Sequence, residues 1–163
     1  MYNISLNLSY KNVLFVGGGK VAERKIKSII DENCKITVIA PQINGFISDL
    51  VEKSRITVIK RKFELDDVSK KFFIVFAATN DIQLNRLIYE KFNEINVLCN
   101  NVSDGNYTNF ISSATAKFNN IIISINTVNK DPLLSKKIKN MLTNDIENNT
   151  YNFENCIKYL YYK

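Results

Sequence analysis

The 163-residue chain has no histidine and no tryptophan, two prolines, five glycines and three cysteines. Without histidine there is no imidazole base, no imidazole metal ligand and no Ser-His triad. The cysteines, Cys34, Cys99 and Cys156, are odd in number, far apart and never in a CxxC arrangement. That argues against a disulfide framework and against a zinc or iron–sulfur site, and predicts no metal centre and a reducing, cytoplasmic setting. No apolar run reaches transmembrane length, and the opening MYNISLNLSYKNV has neither the basic start nor the continuous apolar stretch of a secretion signal, so no membrane role is expected. The chain also lacks a concentrated charge. Its net +6 divides as 15 Lys/Arg against 12 Asp/Glu over residues 1–112, and 7 against 4 over 113–163, or +3 in each part. A basic surface spread this evenly predicts no nucleic-acid partner and is equally compatible with an acidic small molecule.

In a chain so poor in glycine, three stand together: Gly17, Gly18 and Gly19, in VLFVGGGKVAERK. Gly17-Gly18-Gly19-Lys20-Val21-Ala22 satisfies G-x-G-x-x-A between a predicted strand and a predicted helix, the context that a dinucleotide fingerprint requires. There Gly17 permits the tight turn off the strand, Gly19 lets a pyrophosphate touch the backbone, and Ala22 keeps the helix close to the sheet. The helix start offers free N–H groups to phosphate. A glycine turn without a ligand is the plain alternative. The acidic ribose partner expected about twenty residues on is absent, since Ala40-Pro41-Gln42 stands there. Gln42 has the groups to bond ribose hydroxyls, and spacing alone leaves NAD and NADP both open.

Apolar runs at 12–17, 35–41, 55–60, 72–80 and 95–100 read as strands, with helical spacing at 20–32, around 44–53 and from Leu84 to Ile95. This alternation predicts an α/β fold with a parallel, Rossmann-type sheet. After Asp104 the rhythm changes. Residues 110–118 and 120–127 read as an antiparallel hairpin turning at Asn119-Asn120. A helix follows Pro132, and a last aromatic helix, with Phe153, Ile157 and Leu160, lies past an Asn-rich break at 148–150. The expected domains are 1–112, a nucleotide-binding Rossmann-type domain, and 113–163, a dimerisation hairpin with C-terminal helices. The second is too small to stand alone, so a homodimer is expected.

The motif VLFVGGGKVAERK, a strand ending ITVIAP, FAATND with Leu84-Asn85, CNNVSD, Phe110-Ile111 and IISINTVNKDPLLSKKIK together resemble the precorrin-2 dehydrogenase family, the sirohaem synthase N-terminal module. The resemblance runs from about residue 8 to 145. It implies NAD-dependent oxidation of precorrin-2, an acidic tetrapyrrole, to sirohydrochlorin, with iron insertion by some members adding ferrous iron as a partner. It implies NAD rather than NADP. Carried over residue by residue, the NAD contacts fall on Gly17, Gly18, Gly19, Lys20, Val21 and Ala22, on Pro41 and Gln42, on Thr79 and Asn80, and on Val102. The aspartate of the family's N-V-x-D segment matches Asp104 and takes a catalytic role. The chain departs from the family pattern at Ser113, where proline is common, and at Asn126-Thr127-Val128-Asn129, where serines and a glycine are common.

From the residues themselves, Asp104 lies just past the fifth strand, where ligands bind doubly wound sheets, yet Asp104-Gly105-Asn106 is also a good turn sequence. Asp81 and Asp131 read as helix caps. Lys117, Lys130, Lys136 and Lys137 suit a substrate with many carboxylates, or simply solvate a surface. Two other functions stay open: a non-catalytic NAD-sensing module, needing only the Gly17–Ala22 loop, and a pure chelatase, for which clustered ligands are missing.

Overall fold

A computed structural model describes residues 2–118, 121–127 and 131–148. The expected turn at Asn119-Asn120, Lys130, the departures at Val128 and Asn129, and the expected helix around Phe153, Ile157 and Leu160 lie outside the described residues. The chain forms two compact units, Met1–Ile111 and Ser112–Lys163.

In the first unit, strands β1 (Asn12–Val16), β2 (Lys35–Ile39), β3 (Thr57–Ile59), β4 (Ile74–Ala77) and β5 (Leu98–Asn101) alternate with helices α1 (Lys20–Lys27), α2 (Gly45–Glu52) and α3 (Ile82–Glu94). The strands pair in parallel in the order β3-β2-β1-β4-β5. The order reverses between β1 and β4, and a doubly wound sheet opens its ligand crevice at such a reversal, beyond the carboxyl ends of the strands. β1 is covered on both faces, which is why NVLFV reads as an uninterrupted apolar run. On one face Val13 and Phe15 meet Ala22 and Ile26 of α1 and Ile47 and Leu50 of α2. On the other, Leu14, Val16 and Val75 meet Ile88 and Phe92 of α3.

α1 stops at Lys27 instead of running to 32. Ser28 Oγ donates to the Lys25 carbonyl (2.7 Å), and residues 28–32 continue as turns that still deliver Ile29 and Ile30 to the core. A short 3-10 turn, Leu65–Asp67, interrupts the path from β3 to β4; Arg61 and Asp67 hold it with a bidentate pair (2.7 and 2.6 Å), and such local polar chemistry leaves no hydrophobic period to read. The second unit holds an antiparallel pair, β6 (Ala114–Phe118) and β7 (Ile121–Ile125), and helix α4 (Pro132–Glu147). Its strand begins at Ala114 because Phe110 packs in the first unit, edge-on against Phe76. Asp81 and Asp131 cap α3 and α4, accepting from the Leu84 amide and from the Leu133 and Leu134 amides. Among the described residues, no helix is long and apolar enough to cross a membrane.

Candidate active site

The glycine loop follows directly from the end of β1. The Gly17 amide donates to Ile39 O (2.9 Å), and its φ of +113° is one that only glycine holds without strain. A methyl group on Gly17 would lie 2.3 Å from the Ala78 carbonyl oxygen and 3.0 Å from the Thr79 amide. Gly17 thus presses the end of β1 against the end of β4. A methyl on Gly18 would lie 2.5 Å from the Gln42 carbonyl oxygen, which brings the end of β2 to the same place. Gly19 differs: a methyl there would meet nothing within 4 Å, and its extended backbone suits any residue.

Gly19 is also the N-cap of α1, and no side chain caps that helix. The first-turn amides therefore face an open, exposed surface at Gly19, Lys20 and Val21, while Ala22 is fully buried against the sheet. Uncapped N–H groups with the helix dipole behind them suit a phosphate. Asn44 braces this arrangement, donating through its amide to Gly18 O (3.0 Å) and through Nδ2 to Glu23 (2.6 Å). The Glu23 carboxyl is held below its usual range, chiefly by its hydrogen bond to Lys27, so its charge at the loop is already paired.

The structure places Pro41 and Gln42 exposed at the end of β2 and Asn80 exposed after β4. Thr79 is held inward. Its amide and hydroxyl donate to Asn85 Oδ1 (3.0 and 2.7 Å), and its carbonyl accepts from Asn85 Nδ2 (3.0 Å). Asn85 Nδ2 also donates to Ser103 Oγ (3.2 Å), joining the turn after β4 to the turn after β5. The sequence motif contains Asn85 without revealing its role; the only signal is an amide on the apolar stripe of α3, with Ile88 and Phe92.

Val102 donates its amide to Ala77 O (3.1 Å) and packs on the core, fixing where β5 leaves the sheet. Asn101 Oδ1 then accepts from the Ser103 amide (2.9 Å), the Ser103 hydroxyl (2.7 Å) and the Asp104 amide (3.3 Å). Asp104 is half-buried at the carboxyl edge. Its Oδ1 accepts from the Asn106 amide (2.8 Å), and its charge adds to the field of Glu90 at Arg86, whose guanidinium lies 4.1 Å over Tyr107. Asp104 thus shapes a turn, and that turn follows β5 at the carboxyl end of the sheet. Cys99, inside β5, is no nucleophile, because burial pushes its thiol up to about 12.

A topological switch point, an uncapped helix start and a glycine with no structural reason among the described residues define a dinucleotide-binding protein of the Rossmann class. A family model described as "Putative NAD(P)-binding" matches residues 4–114. Precorrin-2 dehydrogenase of Priestia megaterium is 33% identical over 151 residues, covering 90% of this chain and 72% of that protein. The siroheme synthase of Blochmanniella pennsylvanica is 34% identical over 139 residues, 85% of this chain but only 29% of the synthase. Among solved structures, SirC, a precorrin-2 dehydrogenase, superposes with a TM-score of 0.79 at 31% identity, covering 89% of this chain and 71% of that one. The chain belongs to the precorrin-2 dehydrogenase family.

Proposed function

We propose that the protein is an NAD-dependent dehydrogenase that oxidises precorrin-2 to sirohydrochlorin in sirohaem synthesis. The observation that carries the reading is the contrast within the glycine loop, where Gly17 is required by the neighbouring backbone and Gly19 by nothing among the described residues. That open position, at the uncapped start of α1, is what a pyrophosphate needs. NAD, when bound, supplies the hydride acceptor.

The oxidation also releases a proton, and with no histidine in the chain a carboxylate is the natural group to receive it. Asp104 is that base in our reading. It is half-buried on a turn held by Asn101, and through Ser103 and Asn85 this turn is tied to Thr79 at the end of β4. The protein's own work is to bind the pyrophosphate at Gly17–Ala22, to bring substrate to the carboxyl edge, and to take the proton at an Asp104 oxygen. Lys20, Val21, Pro41, Gln42, Asn80 and Val102 surround the cofactor path in the same reading. We also propose that the second unit is the contact of a homodimer.

The test is the absorbance change of precorrin-2 incubated with and without NAD, using the parent protein and Asp104→Asn. Asparagine still accepts the Asn106 amide bond, so the turn survives while the basicity is lost. A parent that converts precorrin-2 only with NAD, and a variant slower by about a hundred-fold or more, are expected. A parent that binds NAD but leaves precorrin-2 unchanged would favour a sensor. A variant at parental rate would leave Asp104 as a turn residue alone.

A further inference from the structure

The glycine motif runs on past the residues a dinucleotide uses, into Arg24-Lys25. Lys25 is half-buried on α1, with its Nζ 5.9 Å from the centroid of the Phe76 ring. Phe76 is itself stacked on Phe15 (4.6 Å between centroids) and met edge-on by Phe110 (5.5 Å). Desolvation, with some repulsion from Arg24, lowers the Lys25 pKa to about 8. Lys27 and Lys91 pair with Glu23 and Glu94, whereas Lys25 has no carboxylate within ion-pair distance among the described residues.

One strand away lies a second unsatisfied group. Asn100 is the register partner of Phe76 in the β4–β5 pairing, and neighbouring strands run about 4.8 Å apart. Asn100 is 4% exposed; its Nδ2 donates to Phe110 O (2.6 Å) and to Thr108 Oγ1 (3.4 Å), and its Oδ1 has no donor among the described residues. The patch around Phe76 therefore holds a cation without an anion and an acceptor without a donor. A methionine would fill the place of Lys25 at lower desolvation cost, so stability alone does not explain the lysine. Phe76 and Asn100 each lie one residue before the carboxyl end of their strands, and the segment leaving Asp104 returns to this patch through Thr108 and Phe110.

Resting on the dehydrogenase reading, we propose that Lys25 anchors a carboxylate arm of the tetrapyrrole. Anchoring by a desolvated charge pair fits the surroundings, because an ammonium among aromatic rings gains most from an anion that water does not screen. The pyrophosphate is served separately by the amides at the start of α1, so the two anions have separate hosts.

The experiment uses Lys25→Met and Lys25→Arg in the full chain, with three readouts: absorbance titration with sirohydrochlorin, calorimetric titration with NAD, and melting without ligand. For Lys25→Met we expect sirohydrochlorin affinity to fall about tenfold or more, NAD affinity to stay within about twofold, and the melting temperature to hold or rise. Lys25→Arg, which keeps the charge, should recover most of the tetrapyrrole affinity. Sirohydrochlorin affinity unchanged in Lys25→Met would overturn the anchor, as would a loss confined to NAD or one that simply follows a lower melting temperature. If the parent neither binds sirohydrochlorin nor oxidises precorrin-2, the dehydrogenase reading fails and the anchor fails with it. An active parent with an indifferent Lys25→Met variant overturns the anchor alone.

Discussion

Gly17 and Gly19 stand two residues apart and are glycines for opposite reasons, which single substitutions can separate. At Gly17 a methyl would meet the Ala78 carbonyl at 2.3 Å in a backbone conformation with φ +113°. Both neighbours are main chain and cannot turn aside. Gly17→Ala should therefore cost about 2–5 kcal/mol from overpacking and backbone strain together, a fall of roughly 5–15 °C in melting temperature. At Gly19 the backbone suits any residue and the space is empty, so the ligand-free fold should tolerate Gly19→Asp, which also supplies a good N-cap for α1. NAD titration of that variant should show affinity reduced by about a hundred-fold or more, because a carboxylate would sit where pyrophosphate charge belongs. If Gly19→Asp melts far below the parent, or binds NAD equally well, the loop has been misassigned. The glycine pattern alone predicts the motif but cannot separate these roles, since the difference lies in what surrounds each Cβ position.

At the scale of elements, the parallel sheet was legible because each buried strand is an apolar run and each helix carries an apolar stripe. Strand ends were harder: FFIVFAATN predicts nine strand residues, and four form β4, because Ala78 and Thr79 turn to meet Gly17 and Asn85. The tie between the turns after β4 and β5 was hidden, since Asn85, Ser103 and Asn101 are distant in sequence and join only once α3 has packed. Asn85 is 0% exposed and uses both atoms of its amide in that tie. Asn85→Leu should test it. Leucine is the better helix former and continues the stripe of α3, so local propensity predicts a gain of a few tenths of a kcal/mol. The tie predicts the reverse: stranding the partly buried Thr79 amide and carbonyl should cost about 2–4 kcal/mol, and melting should drop by roughly 5–15 °C. A variant that melts at or above the parent would show that the network contributes nothing to the fold.

On the scale of the whole molecule, the second unit poses a burial problem that one chain does not solve among its described residues. Its core holds Ile138 and Leu142 of α4, with Ile123, Ile125, Leu134 and Met141 only partly covered. On β7, Ile121 and Ile122 are each 63% exposed, and Leu133 at the start of α4 is 79% exposed. A two-stranded sheet is marginal by itself, and an apolar strand left open at an edge invites pairing with another chain. A second copy of the same unit is the simplest cover, because a two-fold interface presents the same apolar patch from both sides. The net +6 per chain opposes association only weakly, since charges farther apart than about 8 Å are largely screened at physiological ionic strength. Light scattering at micromolar concentration should therefore report twice the mass of one chain. Ile122→Lys, placing a charge on the exposed strand β7, should shift that mass towards one chain while leaving NAD titration at the first unit unchanged. A parent that scatters as a monomer would refute the dimer, and an Ile122→Lys variant that stays dimeric would move the interface away from β7.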